Sequence, residues 1–229
     1  MKILVTGHSR SGTTLLRKLI RGHRYVKHML HETMILTANR GRVGGNHFMY
    51  AWNGGEPIRF LFDSDNESWG EKILYDYPCI DYGVVDAFDY CLFWNELFGT
   101  DGCIINILRH PYDVIISSAK KRGVGVEAAA NIYKKHMPIT YYKIDGLSNA
   151  ITIHFESLLF EPLRVLQRVF DLCGLDSGRA CMKEAISKAT PDIEGGRLNP
   201  SISYSHQSEY FKLEGLGIDR IANKLGYQA

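Results

Sequence analysis

The chain lacks the features that would place it outside the ordinary globular class. None of its hydrophobic runs approaches the ~20 residues that span a bilayer. No basic segment and long apolar stretch stand before the first apolar run. A complete chain of this kind is expected in the cytoplasm, with no membrane partner. The net charge is only +2 over 229 residues, so there is no broad basic surface of the kind that binds nucleic acid. A local positive pocket is still compatible with that balance. The five cysteines, Cys79, Cys91, Cys103, Cys173 and Cys181, form neither a C-x-x-C pair nor a metal-like spacing. They fit buried or free thiols in a reducing compartment. No internal repeat or low-complexity linker divides the sequence. Residues 1–229 are therefore expected to form a single domain around one core, with a substrate-facing insertion around 40–66.

A further absence is more informative. Met1 to Ile20 read MKILVTGHSRSGTTLLRKLI: a short apolar run at Ile3 to Val5, a Gly/Ser/Thr loop from Gly7 to Thr14, then Leu15, Leu16, Leu19 and Ile20 at helical spacing. Strand, loop and helix in this order make a phosphate-binding turn, with backbone N–H groups and a helix N-terminus facing an anion. Gly7 and Gly12 have the separation of the Walker A pattern G-x-x-x-x-G-K-[ST], but Thr13 stands where that pattern requires Lys. The cation has moved back to Arg10. Nucleoside triphosphatases use the missing Lys to reach the β- and γ-phosphates, so ordinary ATP or GTP chemistry is weakened.

Along the rest of the chain, apolar runs alternate with helical patterns. MLHETMIL at Met29 to Leu36 sets Glu32 and His31 among apolar residues. Glu32 reads either as a general base near the cleft or as an N-terminal carboxylate of a new helix. Gly41 to Glu56 is Gly-rich with interleaved aromatics and suits a substrate lid or a packed surface loop equally. SWGEKILYDYP, with Trp69 to Lys72 leading into Ile73 to Tyr75, reads as a short strand ending before Pro78, and Tyr82 to Phe98 as an amphipathic helix stopped at Gly99.

CIINIL at Cys103 to Leu108 has the near-continuous apolar character of a parallel strand covered on both faces. Arg109 follows it, at a strand end where open α/β sheets bind ligands. Tyr112 to Lys121 continues as a helix carrying Ser117, Lys120 and Lys121. Arg109, Ser117 and Lys121 read either as a second phosphate site built from charge-assisted hydrogen bonds or as a basic cluster complementing a helix C-terminus. Val126 to Lys143 is a helix expected to be interrupted near Pro138, and ITIHF at Ile151 to Phe155 is a third buried strand. Helices follow at Pro162 to Cys173, Gly178 to Ala189 and Ile218 to Leu225, with Thr190 to Tyr210 irregular. The alternation argues for an α/β fold: a three-layer, P-loop-type parallel sheet flanked by helices.

These elements resemble the sulfotransferases that use 3′-phosphoadenylyl sulfate (PAPS), over most of the chain. SRSGTTLL at Ser9 to Leu16 is similar to their 5′-phosphosulfate loop. ILRHPYDVIISSAKK at Ile107 to Lys121 is similar to their 3′-phosphate element, carried by Arg109 and Ser117. HFESLLFEPLRVLQRVFDLCGL at His154 to Leu175 is similar to the strand and helix that follow. The likeness is greatest to the branch of protein-tyrosine sulfotransferases and related bacterial enzymes, in which Glu32 matches a Glu shortly after the first helix. Lys72 matches a Lys on the short strand, and Thr190 loosely matches a hydroxyl near the C-terminal loop. Phe155 stands where that branch often has a Tyr beside the adenine. Arg197 and His206 are the candidates for a C-terminal basic residue over the cofactor.

The resemblance implies in-line transfer of a sulfuryl group from PAPS to a hydroxyl acceptor (small molecule, carbohydrate or peptide), leaving adenosine 3′,5′-bisphosphate. The implied catalytic set is Glu32, Arg10, Lys72 and Thr190. The implied cofactor-binding set is Arg10, Ser11, Gly12, Thr13, Thr14, Arg109, Ser117, Lys121 and Arg197, and no metal is expected. Two rival readings are a P-loop kinase of a nucleotide or small metabolite and a non-catalytic phosphonucleotide-binding protein. Neither acceptor identity nor oligomeric state is legible.

Overall fold

The computed structural model describes residues 1–31, 68–72, 74, 91, 92, 94, 95, 98–189, 213 and 215–227. Five strands form one sheet: β1 (Lys2–Gly7), β2 (Val26–His31), β3 (Ser68–Lys72), β4 (Gly102–Leu108) and β5 (Ala150–His154). Their order is β2-β3-β1-β4-β5, and every pairing is parallel. Seven helices are described: α1 (Thr13–Arg21), α2 (Pro111–Arg122), α3 (Val126–Asp145), α4 (Phe155–Phe160), α5 (Pro162–Leu172), α6 (Arg179–Ala189) and α7 (Ile218–Lys224).

The strand pleat sends alternate side chains to opposite faces, and each face has its own core. Leu4, Ile104 and Leu108 point to the face covered by α2, α3 and α7. Ile3, Val5, Cys103, Ile105, Ile107 and Ile153 point to the face covered by α1, α4, α5 and α6. This is the expected three-layer α/β arrangement. All six residues of β1 and all seven of β4 are buried. Each fully buried Ile, Leu or Val contributes about 1.5–3 kcal/mol, so this central pair anchors the sheet and fixes the loops at its carboxyl end.

Two expectations need correction. Strand β2 covers Val26–His31, where no strand was expected. Among its described side chains Val26 and Met29 are in the core while Lys27 and His28 are exposed, and its register against β3 shifts between Val26 and His28, so no clean alternation marks it. Strand β3 lies on Ser68–Lys72, within the segment SWGEKILYDYP where a short strand was expected, and carries Lys72. Helix α3 runs unbroken past Pro138 to Asp145. Proline removes one backbone hydrogen bond, but core residues lie on both sides of it: Ala129, Ala130, Tyr133 and Met137 before, Ile144 after. Their burial outweighs that loss. Among the described residues no helix is long and apolar enough to cross a membrane.

Candidate functional site

The chain leaves β1 toward β2 on one side, while β4 leads to β5 on the other. The β1/β4 boundary is thus the topological switch point, where a crevice opens beyond the carboxyl ends of the strands. Two elements face each other there: the loop after β1 and the junction between β4 and α2.

The first element is made of backbone. Gly12 is the N-cap of α1 at φ 99°, a left-handed conformation that favours glycine, and a Cβ there would be driven into the Phe155 ring. A Cβ on Gly7 would lie 2.6 Å from the Ile107 carbonyl oxygen, so glycine lets β1 approach β4 closely. Between them, Ser11 donates its N–H and its hydroxyl to the His8 carbonyl at 3.1 and 2.6 Å, closing the loop on itself. The His8 ring packs against Tyr133, with centroids 5.0 Å apart. Arg10 lies at φ 72°, the one non-glycine with positive φ among the described residues. A side chain there costs about 1–3 kcal/mol, so the surrounding loop must hold it.

The second element is made of side chains. Arg109 follows β4 and is only 7% exposed. Its Nη2 is 3.3 Å from the Asp113 carboxylate, one helical turn on, and its guanidinium carbon lies 5.0 Å over the Phe155 ring. Its Nη1 donates to the Arg10 carbonyl at 3.4 Å. Pro111 opens α2 at N1, where its missing N–H costs nothing. His110 precedes it as N-cap, and its Nδ1 accepts from the Tyr112 N–H at 3.3 Å. Glu156, at the start of α4, accepts from the His110 N–H at 2.9 Å and from the Tyr227 hydroxyl at 3.0 Å. Burial, the largest cause, lowers the His110 and His154 pKa values and raises that of Tyr227.

The two elements touch. Arg10 Nε donates to Ser117 Oγ at 2.9 Å, across 107 residues of chain. From the other side, Lys72 ends β3 in register with Val5 of β1, is 2% exposed, and donates to Thr14 Oγ1 at 3.4 Å. Two Arg, one Lys and a helix N-terminus therefore gather at one crevice, an arrangement suited to a multiply charged anion.

No protein-family model and no curated protein matches the sequence. Solved structures do match the fold. The sulfotransferase domain of the Synechococcus PCC 7002 olefin synthase is similar with a TM-score of 0.65 and 19% identity, over 100% of this chain and 96% of that one. Mouse sulfotransferase SULT7A1, complexed with PAP, is similar with a TM-score of 0.58 and 13% identity, over 97% and 85% of the two chains. Retinol dehydratase in complex with androsterone and inactive cofactor PAP gives 0.54 and 12%, over 99% and 81%. The chain has the sulfotransferase fold.

On this sulfotransferase fold, Arg10, Ser11, Gly12, Thr13, Thr14, Lys72, Arg109 and Ser117 are brought together around the switch-point crevice. Lys121 is exposed in the last turn of α2, one turn beyond Ser117. His31 ends β2 in register with Lys72. Glu32, Thr190, Arg197 and His206, together with the 40–66 insertion, lie outside the described residues. Sequence reasoning missed Asp113, Glu156 and Tyr227. The Arg109/Asp113 spacing of four at a helix start was a usable signal for the first. Nothing local marks Glu156 and Tyr227, which meet only through the tertiary fold.

Proposed function

We propose that the chain is a PAPS-dependent sulfotransferase acting on a hydroxyl acceptor. The observation that carries this reading is the direct link between the two cationic strand-end elements, Arg10 to Ser117 and Arg109 to the Arg10 carbonyl. A loop without the Walker Lys, joined to a second buried Arg, suits a donor with two separated phosphates better than a linear triphosphate. The fold shared with PAP-bound structures supports the same donor.

In this reading the backbone of Ser11 to Thr14 and the N-terminus of α1 hold the 5′-phosphosulfate, and Arg109 with Ser117 holds the 3′-phosphate. Lys121, in the last turn of α2, and Arg197 add positive charge for the cofactor. The acceptor oxygen attacks sulfur, and the sulfur–oxygen bond to the 5′-phosphate breaks. Charge grows on the bridging oxygen and is met by the exposed Arg10 and the buried Lys72. Lys72 is suited to this because it ends β3 beside the loop, buried, with its ammonium donating to Thr14 Oγ1. The acceptor's proton passes to Glu32, and Thr190 completes the catalytic set. The products are a sulfate ester and adenosine 3′,5′-bisphosphate.

Incubating the chain with sulfur-labelled PAPS and a panel of alcohols, phenols and sugars tests the reading. Label should pass to at least one hydroxyl class and be lost in Glu32→Gln, with adenosine 3′,5′-bisphosphate still bound. Phosphoryl transfer from ATP to the same panel would contradict it and return the kinase reading.

A further inference from the structure

Two thiols meet in the core at the end of the sheet away from the crevice. Cys103 is the second residue of β4, and Cys173 is the C-cap of α5, which covers that face. Along β4, Cys103 precedes Arg109 by about 20 Å of extended chain. Both cysteines are buried and reduced, and their Sγ atoms share a hydrogen bond at 3.0 Å across 70 residues of chain. A disulfide bond requires an approach only about 1 Å closer. The hydrogen bond with Cys103 and burial push the Cys173 thiol pKa well above its ordinary value, so the pair rests as a dithiol. Access comes through the helix end. Gly174 follows at φ 59° and is exposed, and a terminal turn opens at a lower cost than the core it covers. Cys181 differs, since its thiol donates to the Asp176 carboxylate at 2.8 Å.

We infer that Cys103 and Cys173 form a reversible oxidation site, at which hydrogen peroxide converts the dithiol to a disulfide stapling β4 to the end of α5. One thiolate attacks a peroxide oxygen and breaks the O–O bond, giving a sulfenic acid and releasing hydroxide, which takes up the proton lost by that thiol. The second sulfur loses its proton, displaces water from the sulfenic sulfur and closes the S–S bond. The two sulfurs give up two electrons to the peroxide, which leaves as two waters. A small dithiol reductant reverses the step by exchange. Closing so long a loop constrains the unfolded chain, so the crosslink stabilises the fold.

Treating the folded chain with hydrogen peroxide, then alkylating the remaining thiols under denaturing conditions, tests the site. Peptide mapping without reductant should join the peptide carrying Cys103 to the one carrying Cys173. Thermal unfolding of the oxidised chain should shift upward by about 10 °C, and dithiothreitol should return the original midpoint. Cys103→Ala and Cys173→Ala should each abolish the shift caused by peroxide. Each variant is compared with its own untreated form, so a change in its basal stability does not enter. Sulfinic acid on either cysteine without a joined peptide would overturn the inference. So would both thiols remaining open to alkylation after peroxide sufficient to oxidise methionine elsewhere in the chain. A joined peptide with an unchanged or lowered midpoint would also overturn it, because the bond would then strain the fold.

Discussion

The loop after β1 and the junction after β4 face the same crevice and are built in opposite ways. The loop is a backbone device. Gly7 and Gly12 stand where side chains do not fit, and Ser11 folds the chain back onto the His8 carbonyl. The junction is a side-chain device. Its cation, Arg109, is buried and owes its position to Asp113, the Phe155 ring and a capped helix start. Backbone donors are fixed by chain geometry and carry partial charge. A buried guanidinium carries full charge but needs a partner to offset its desolvation. The two halves should therefore fail differently when altered.

The largest effect is expected at Asp113. Asp113→Asn leaves Arg109 as a buried charge without its carboxylate, which costs about 3–5 kcal/mol. Urea unfolding should show this as a lower midpoint at unchanged slope. In folded protein, affinity for the 3′,5′-bisphosphate should fall while that for the 5′-monophosphate holds. A near-neutral Asp113→Asn would show that Arg109 does not depend on its partner.

Lys72 belongs to neither half and reports on chemistry. Lys72→Met keeps the buried stem and removes the ammonium. Turnover should drop about 10²–10³-fold, as for loss of one preorganised donor to developing charge, with bisphosphate binding little changed. Gly12→Ala attacks the loop. The forced left-handed conformation and the collision with Phe155 together cost about 2–4 kcal/mol. Phe155 also lies under Arg109, so this variant should disturb both phosphate contacts, unlike Asp113→Asn. Thermal unfolding beside binding of the two nucleotides separates these outcomes.

The smallest effect is a dependence on pH confined to the junction. Burial depresses the pKa values of His110 and His154 below their ordinary 6.5. In the range between the depressed and ordinary values the unfolded chain binds more protons, so stability rises with pH there. The contribution is complete above about pH 6.5 and is lost as pH falls toward the depressed values. His110 also needs an unprotonated Nδ1 to accept from Tyr112. His110→Asn keeps a capping acceptor and removes one titration, so its denaturation midpoint should fall less between pH 7.5 and 5.5 than the parent's. An identical slope would place the pH dependence elsewhere.

The same contrast explains what could be read from sequence. The loop is legible because its backbone geometry demands glycine at fixed places between an apolar run and a helical pattern. Ile3 to Val5 and Cys103 to Leu108 declare themselves because central parallel strands are buried on both faces. Ile151 to Ile153, expected as a third buried strand, lie instead on the edge strand β5, where Ile153 alone is buried. The junction was only half legible. Arg109 and Ser117 were visible as residue types, but their links to the loop through Arg10 form only in the tertiary fold. Strand β2 was missed because its register shifts between Val26 and His28 and its consecutive exposed Lys27 and His28 break the period. Pro138 misled because local propensity was outweighed by the core packed along α3. Glu156 and Tyr227 carried no signal, since 71 residues separate them in the chain.

The central claim is that two unlike anion elements act as one site for a nucleotide bearing separate 5′ and 3′ phosphates. Calorimetric competition between adenosine 3′,5′-bisphosphate and ATP tests it most directly. Preferential binding of the bisphosphate, with the preference reduced in Ser117→Ala, is the predicted result. Tighter binding of ATP, or a bisphosphate affinity indifferent to Ser117, would contradict it.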